Sequence, residues 1–138
     1  MSRAELSDVA VKRLTARRDA RGELVVAELS KDVPFAIARL FYVRDVPAGT
    51  VRGRHGHYRC RQMLVCQSGR IAVDVGDGKD ERRFILESGE YLMLEPGLMG
   101  AETYLDENSI LLVLCDQPYN PEDYIHTGEA LAEFRARG

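Results

Sequence analysis

The feature that most constrains the fold is a rhythm of short apolar runs closed by turn residues. Glu23 to Leu29 follows the turn-forming Asp19-Ala20-Arg21-Gly22, and Ile37 to Val43 follows Pro34. Gln62 to Gln67 ends at Ser68-Gly69, and Arg70 to Val75 alternates polar and apolar residues up to Gly76-Asp77-Gly78. Arg82 to Leu86, Tyr91 to Leu94 and Ser109 to Cys115 continue the series, with Gly89 and Pro96-Gly97 as punctuation. Runs this short and this closely spaced are strands of a sandwich or barrel, not helices. The glycines around Asp77 predict a hairpin. Only Thr127 to Arg137 has a helical period, with Ala130, Leu131 and Phe134 on one face. The chain has no βαβ alternation, no glycine-rich phosphate loop, no internal repeat and no linker. Residues 1–138 are therefore read as a single all-β domain with a short C-terminal helix.

Composition excludes several functions. A formal net charge of -3 argues against nucleic acid as the main partner, because duplex binding needs a basic face. No apolar stretch approaches the roughly 18 residues that span a bilayer, so no membrane partner is expected. The opening MSRAELSDVAVKRL has neither an apolar core nor a cleavage pattern. Cys60, Cys66 and Cys115 form an odd, widely spaced set, which fits reduced thiols and a cytoplasmic location. Cys60 has no partner at catalytic spacing and is read as structural.

Chemistry concentrates at Arg52 to Gln62, RGRHGHYRCRQ, which holds two of the three histidines. In a strand, His55 and His57 project to one face. Gly49, the His55-Gly56-His57 pair, Gln62 and Gly69 follow the spacing of the first cupin motif, with Gln62 where that motif has an acid. The second cupin motif has a histidine after its proline-glycine turn; here Leu98, Met99, Gly100 and Ala101 follow Pro96-Gly97. A transition metal at such a site needs the carboxylate and the further histidine. No metal and no cofactor are therefore expected. Two unmetallated imidazoles are free to exchange protons near neutral pH.

Three segments resemble the sugar 3,4-ketoisomerases, the WxcM-like cupins that act on thymidine-diphosphate-linked 4-keto-6-deoxy sugars. They are RGELVVAELSKDVPFAIARLFYV at 21–43, RGRHGHYRCRQMLVCQSG at 52–69 and LLVLCDQPYNPEDYI at 111–125. The resemblance implies a cupin fold, a double-stranded β-helix or jelly-roll barrel. It implies a metal-independent shift of a ketone from C4 to C3 through an enediol, on a dTDP-linked 4-keto-6-deoxyhexose. It also implies a cytoplasmic homodimer, with N-terminal strands at about 9–30 exchanged between subunits.

The resemblance assigns His55 and His57 as the catalytic acid-base pair, without saying which faces C3. Tyr42 would polarise the ketone or orient a histidine. Arg52 would bind the diphosphate, a task for which a guanidinium fork is suited; its parity is opposite to the histidines, so this role requires a bend at Gly53. Gln62 would hydrogen-bond the sugar or a histidine. Arg59 and Arg61 share the histidines' parity and would face substrate if the strand stays regular; otherwise they lie on a solvated face. Tyr119, Asp123 and Tyr124 are read as organisers of the C-terminal turn, and His126 as a surface residue. The chain departs from the family at Met99-Gly100, where a tryptophan-histidine pair is common, and it has no tryptophan. A loop at Met99 to Ala101 bordering the site would change substrate or activity. That departure keeps open the alternative of a non-catalytic cupin that binds a sugar nucleotide or another small metabolite; a metal-dependent cupin enzyme is a third, weaker reading.

Overall fold

A computed structural model describes residues 3–137. Twelve strands and one helix follow in order: β1 Lys12–Arg13, β2 Thr15–Asp19, β3 Gly22–Val26, β4 Arg39–Val43, β5 Val51–His57, β6 Gln62–Ser68, β7 Arg70–Gly76, β8 Glu81–Glu87, β9 Glu90–Leu94, β10 Met99–Tyr104, β11 Ile110–Cys115, β12 Tyr124–Ile125 and α1 Gly128–Arg137. Two five-stranded antiparallel sheets form a jelly-roll sandwich, ordered β1-β9-β6-β11-β4 and β12-β5-β10-β7-β8. The hairpin β2–β3 stands as a separate two-stranded sheet. β7 and β8 pair as expected, and Asp77 closes their turn by accepting the N–H groups of Lys79 and Asp80 at 2.9 and 2.8 Å.

The barrel interior is filled by alternate residues of facing strands, among them Leu64, Ile71, Val73, Leu86, Leu92, Leu111 and Val113. The first sheet is apolar on its outer face as well. Met63, Val65, Tyr91 and Leu114 there are covered by Leu14 and Val33. α1 lies against the second sheet, burying Leu131 and Phe134 beside Ile125, Tyr58 and Met99. Each of these two burials is worth roughly 1.5–3 kcal/mol. The Thr127 hydroxyl caps the helix by accepting the Ala130 N–H at 3.0 Å.

One sequence expectation changes here. Met99 to Ala101 is not a loop; it opens β10, paired on both sides with β5 and β7. Thr15 to Asp19 is a strand although its composition is polar, because the turn at Asp19 folds it onto β3.

β5 carries the deviation that shapes the site. His55 pairs with Gly100 and Arg52 with Glu102, so two residues, Gly53 and Arg54, stand opposite one, Ala101. This is a β-bulge, and Gly53 takes φ +71° within it. A Cβ at Gly53 would collide with the Glu102 carboxyl. Glycine is thus required twice, by the backbone and by the close approach.

Candidate active site

Between the two sheets lies a cavity of about 220 Å³. β5 contributes Arg52, Gly53, Arg54 and His55; β6 contributes Gln62 and Leu64; β10 contributes Glu102 and Tyr104. Phe41 and Val43 of β4, Leu94 of β9, and Leu111 and Val113 of β11 complete the wall. Arg52 and His55 are three residues apart and would face opposite ways on a regular strand. The bulge supplies the bend at Gly53 that brings both to the cavity. A shallower hollow of about 520 Å³ adjoins it, sharing Val43 and Arg52 and lined also by Tyr42, Arg44, Val46, Pro47 and Thr50.

His55 and His57 project together, with ring centroids 5.3 Å apart and edge to face. His55 lines the cavity; His57 is only 4% exposed and is not part of its wall. Tyr124 packs against both rings, at 4.8 Å from His55 and 4.6 Å from His57. β12 holds it there by pairing Tyr124 with His57 and Ile125 with Gly56. Asp123 fixes the approach by accepting the Arg59 and Cys60 N–H groups at 2.8 and 3.0 Å. Desolvation disfavours the imidazolium at both histidines. It lowers the pKa of His55, with His126 adding to the effect. It takes His57 down to about 4, with His55 as the next cause. Both rings are therefore neutral at neutral pH and able to accept a proton.

Glu102 is the functional candidate that sequence reasoning missed. It is 9% exposed and lines the cavity with His55, Gln62 and Arg52. Burial raises its carboxyl to about 8, and Arg52 offsets only part of that cost. The signal was the alternation Leu98-Met99-Gly100-Ala101-Glu102-Thr103-Tyr104, whose even-numbered members face inward once this stretch is a strand. Tyr124 was equally legible within the segment 111–125, but was assigned only to the turn.

The other assignments divide. Gln62 is buried on the cavity wall, and its Nε2 donates to Cys115 Sγ at 3.6 Å. Tyr42 is not beside the histidines: β4 turns Phe41 and Val43 inward and leaves Tyr42 on the outer face, 56% exposed. Arg59 and Arg61 do not face the cavity, because β5 ends at His57 and the parity argument stops there. Arg59 is exposed. Arg61 forms a two-pronged pair with Glu95 at 2.7 and 3.0 Å. His126 is exposed but stacks on Tyr124, with centroids 5.7 Å apart. The Cys60 thiol donates to the Arg61 carbonyl oxygen at 3.5 Å, and all three cysteines are free. Among the described residues, no three His, Cys, Asp or Glu side chains converge as metal donors. No helix among them is long and apolar enough to cross a membrane.

Comparison with known proteins identifies the family of the chain. Residues 7–136 match the family model described as FdtA: WxcM-like, C-terminal. A TDP-4-oxo-6-deoxy-alpha-D-glucose-3,4-oxoisomerase from Aneurinibacillus thermoaerophilus is 30% identical over 120 residues, covering 86% of each chain. The crystal structure of QdtA, a sugar 3,4-ketoisomerase from Thermoanaerobacterium thermosaccharolyticum in complex with TDP, superimposes with a TM-score of 0.87 at 27% identity, covering 96% of this chain and 98% of the other. WlaRB, a TDP-quinovose 3,4-ketoisomerase from Campylobacter jejuni, gives 0.83 at 29% identity, covering 95% and 99%.

Proposed function

The chain belongs to the FdtA, WxcM-like C-terminal family, and from that membership we propose that it is a nucleotide-sugar 3,4-ketoisomerase. Its substrate is a dTDP-linked 4-keto-6-deoxyhexose, and the ketone moves from C4 to C3 without metal or redox cofactor. The observation that carries the reading is the neutral His55–His57 pair on the bulged strand, with Arg52 turned to the same cavity.

The hydrogen on C3 is acidic because it lies beside the carbonyl. A base must remove it, an enediol forms, and a proton must return to C4. His55 is the base, since it is the histidine on the cavity wall. His57, packed edge-on against it and against Tyr124, holds the ring in place and tunes its basicity. Gln62 orients the sugar. Arg52, shared by the inner cavity and the outer hollow, binds the diphosphate, which leaves the outer hollow to the nucleoside.

The functional unit is a homodimer with exchanged N-terminal strands. Hairpin β2–β3 leaves Leu24 63% exposed, and Leu40 and Tyr42 form an exposed apolar strip on edge strand β4. Such edges need covering. Three buried reduced thiols fit a cytoplasmic setting.

Proton NMR of thymidine-diphosphate-4-keto-6-deoxyglucose in deuterated buffer tests the reading. The expected result is a 3-keto product with deuterium at the migrating positions, lost in His55→Ala and His57→Asn while circular dichroism is unchanged. Binding of thymidine diphosphate with neither product nor exchange would instead make the chain a binding module. Wild-type exchange in the His55→Ala variant would remove the histidine from its role.

A further inference from the structure

Glu102 has no part in the reaction as described above, yet its carboxyl lies in the reaction cavity at 9% exposure. A buried carboxyl on a sandwich wall is costly, and an apolar side chain there would pack without that cost. Nothing structural employs it: among the described residues no hydrogen bond and no ion pair within 4.0 Å holds it. The surroundings instead leave it room. Gly53 clears the space at its Oε1, and a Cβ on Gly100 would sit 3.6 Å from its Oε2 and 2.9 Å from Leu94. Gly53 on the adjacent strand thus keeps open the space this acid occupies, while Gly100 makes room for Leu94.

We infer that Glu102 is a catalytic acid-base group, the one that hands a proton to the ketone oxygen and later takes one from the neighbouring hydroxyl. The inference rests on the isomerase reading. The chemistry requires such a group, because moving hydrogens between carbons accounts for only half the protons. As His55 takes the C3 proton, the C3–H electron pair becomes the C3–C4 double bond. The carbonyl π pair goes to O4, which takes the proton of the Glu102 carboxylic acid. In the second half the Glu102 carboxylate removes the O3 proton, C3–O3 becomes the carbonyl, and the enediol pair takes the proton from the His55 imidazolium at C4. Both groups return to their starting states, His55 neutral and Glu102 protonated, with no oxidant or reductant consumed.

The electrostatic setting is consistent with that cycle. Glu102 shares the cavity with Arg52, Arg54 and His55 from β5, with Tyr104 of its own strand and with uncharged Gln62 from β6. The residues facing it from β4, β9 and β11 are apolar. Arg52 lowers the pKa but does not outweigh desolvation, so the carboxyl holds its proton up to about pH 8. A group poised near working pH is the efficient one for proton transfer.

The test is kcat and kcat/KM against pH for wild type, Glu102→Gln and Glu102→Met, with thermal unfolding followed in parallel. In wild type kcat/KM, which reports the free enzyme, falls as pH rises through about 8. Both variants lose about 100-fold or more in kcat, lose the alkaline limb, keep KM within about threefold, and stay folded. Wild-type kcat with the alkaline limb of kcat/KM intact in Glu102→Gln overturns the inference while leaving the isomerase in place. Activity lost only together with the folded state, in both variants, means a structural role and overturns it too. A wild type that binds but does not turn over the keto sugar removes the isomerase reading itself, and this inference with it.

Discussion

If Glu102 is kept for chemistry, it must cost stability, and the structure sets the size and direction of that cost. The carboxyl titrates at 4.5 when exposed and at about 8 when folded. Between those values the unfolded chain releases the proton while the folded chain retains it. Folding then takes up a proton, so the contribution of Glu102 to stability is at its best below pH 4.5 and declines until pH 8, where the folded form ionises as well. The slope is about 1.4 kcal/mol per pH unit. Glutamine at this position is uncharged throughout and has no such slope. Glu102→Gln should therefore gain about 3 kcal/mol on wild type between pH 5.5 and 8, and nothing more beyond pH 9. Urea unfolding of both proteins at half-unit steps from pH 5.5 to 9 measures the difference directly, and titrations the two share, such as that of His55, cancel. A stability difference that does not vary with pH would show that Glu102 is ionised in the folded protein, with its charge paired or hydrated.

Three further outcomes follow from the site. Because burial depresses both histidines, the acid limb of kcat/KM should lie below the ordinary histidine value, with activity lost as pH falls through the depressed pKa of His55; a limb at or above 6.5 in a pH-rate profile would contradict this. Gly53→Ala should lose about 2–3 kcal/mol, from the positive φ and the displaced Glu102 side chain, and should reduce turnover beyond what unfolding explains; a loss within about 0.5 kcal/mol in denaturant melts would mean that the bulge relaxes freely. Arg61→Ala should cost up to about 1 kcal/mol of stability through its pair with Glu95 and leave KM unchanged, whereas Arg52→Ala should weaken thymidine diphosphate binding by roughly 10- to 100-fold in calorimetry.

Much of the architecture was legible because strands with one buried face must alternate and must end at turns. β6 through β9, β11 and α1 lie within a residue or two of their expected bounds. Polar or short strands were not legible: β2 is held by its partner β3 and β12 by pairing with β5, and neither has an apolar run of its own. The same limit affected the site. The glycines at 97 and 100 made Met99 to Ala101 read as loop, which hid the inward alternation reaching Glu102. Parity arguments placed His55 and His57 together, and they anticipated the bend Arg52 needs. For Arg59 and Arg61 they were conditional on a regular strand; β5 ends at His57, and nothing local in the sequence announces that stop. Tyr42 was assigned by resemblance alone; β4 turns Phe41 and Val43 inward and leaves Tyr42 on the outer face, which no local feature of the sequence decides.

Tyr124 belongs to a two-residue strand, yet its ring packs on both histidines. Strand β5 has left the ribosome well before residue 124 is made. A growing chain that already displays the His55–His57 pair therefore lacks the surface that covers it, and any fragment ending before Tyr124 has imidazoles open to solvent and to stray protons. The order of synthesis thus makes the covering of the His55–His57 pair one of the last contacts the chain can form.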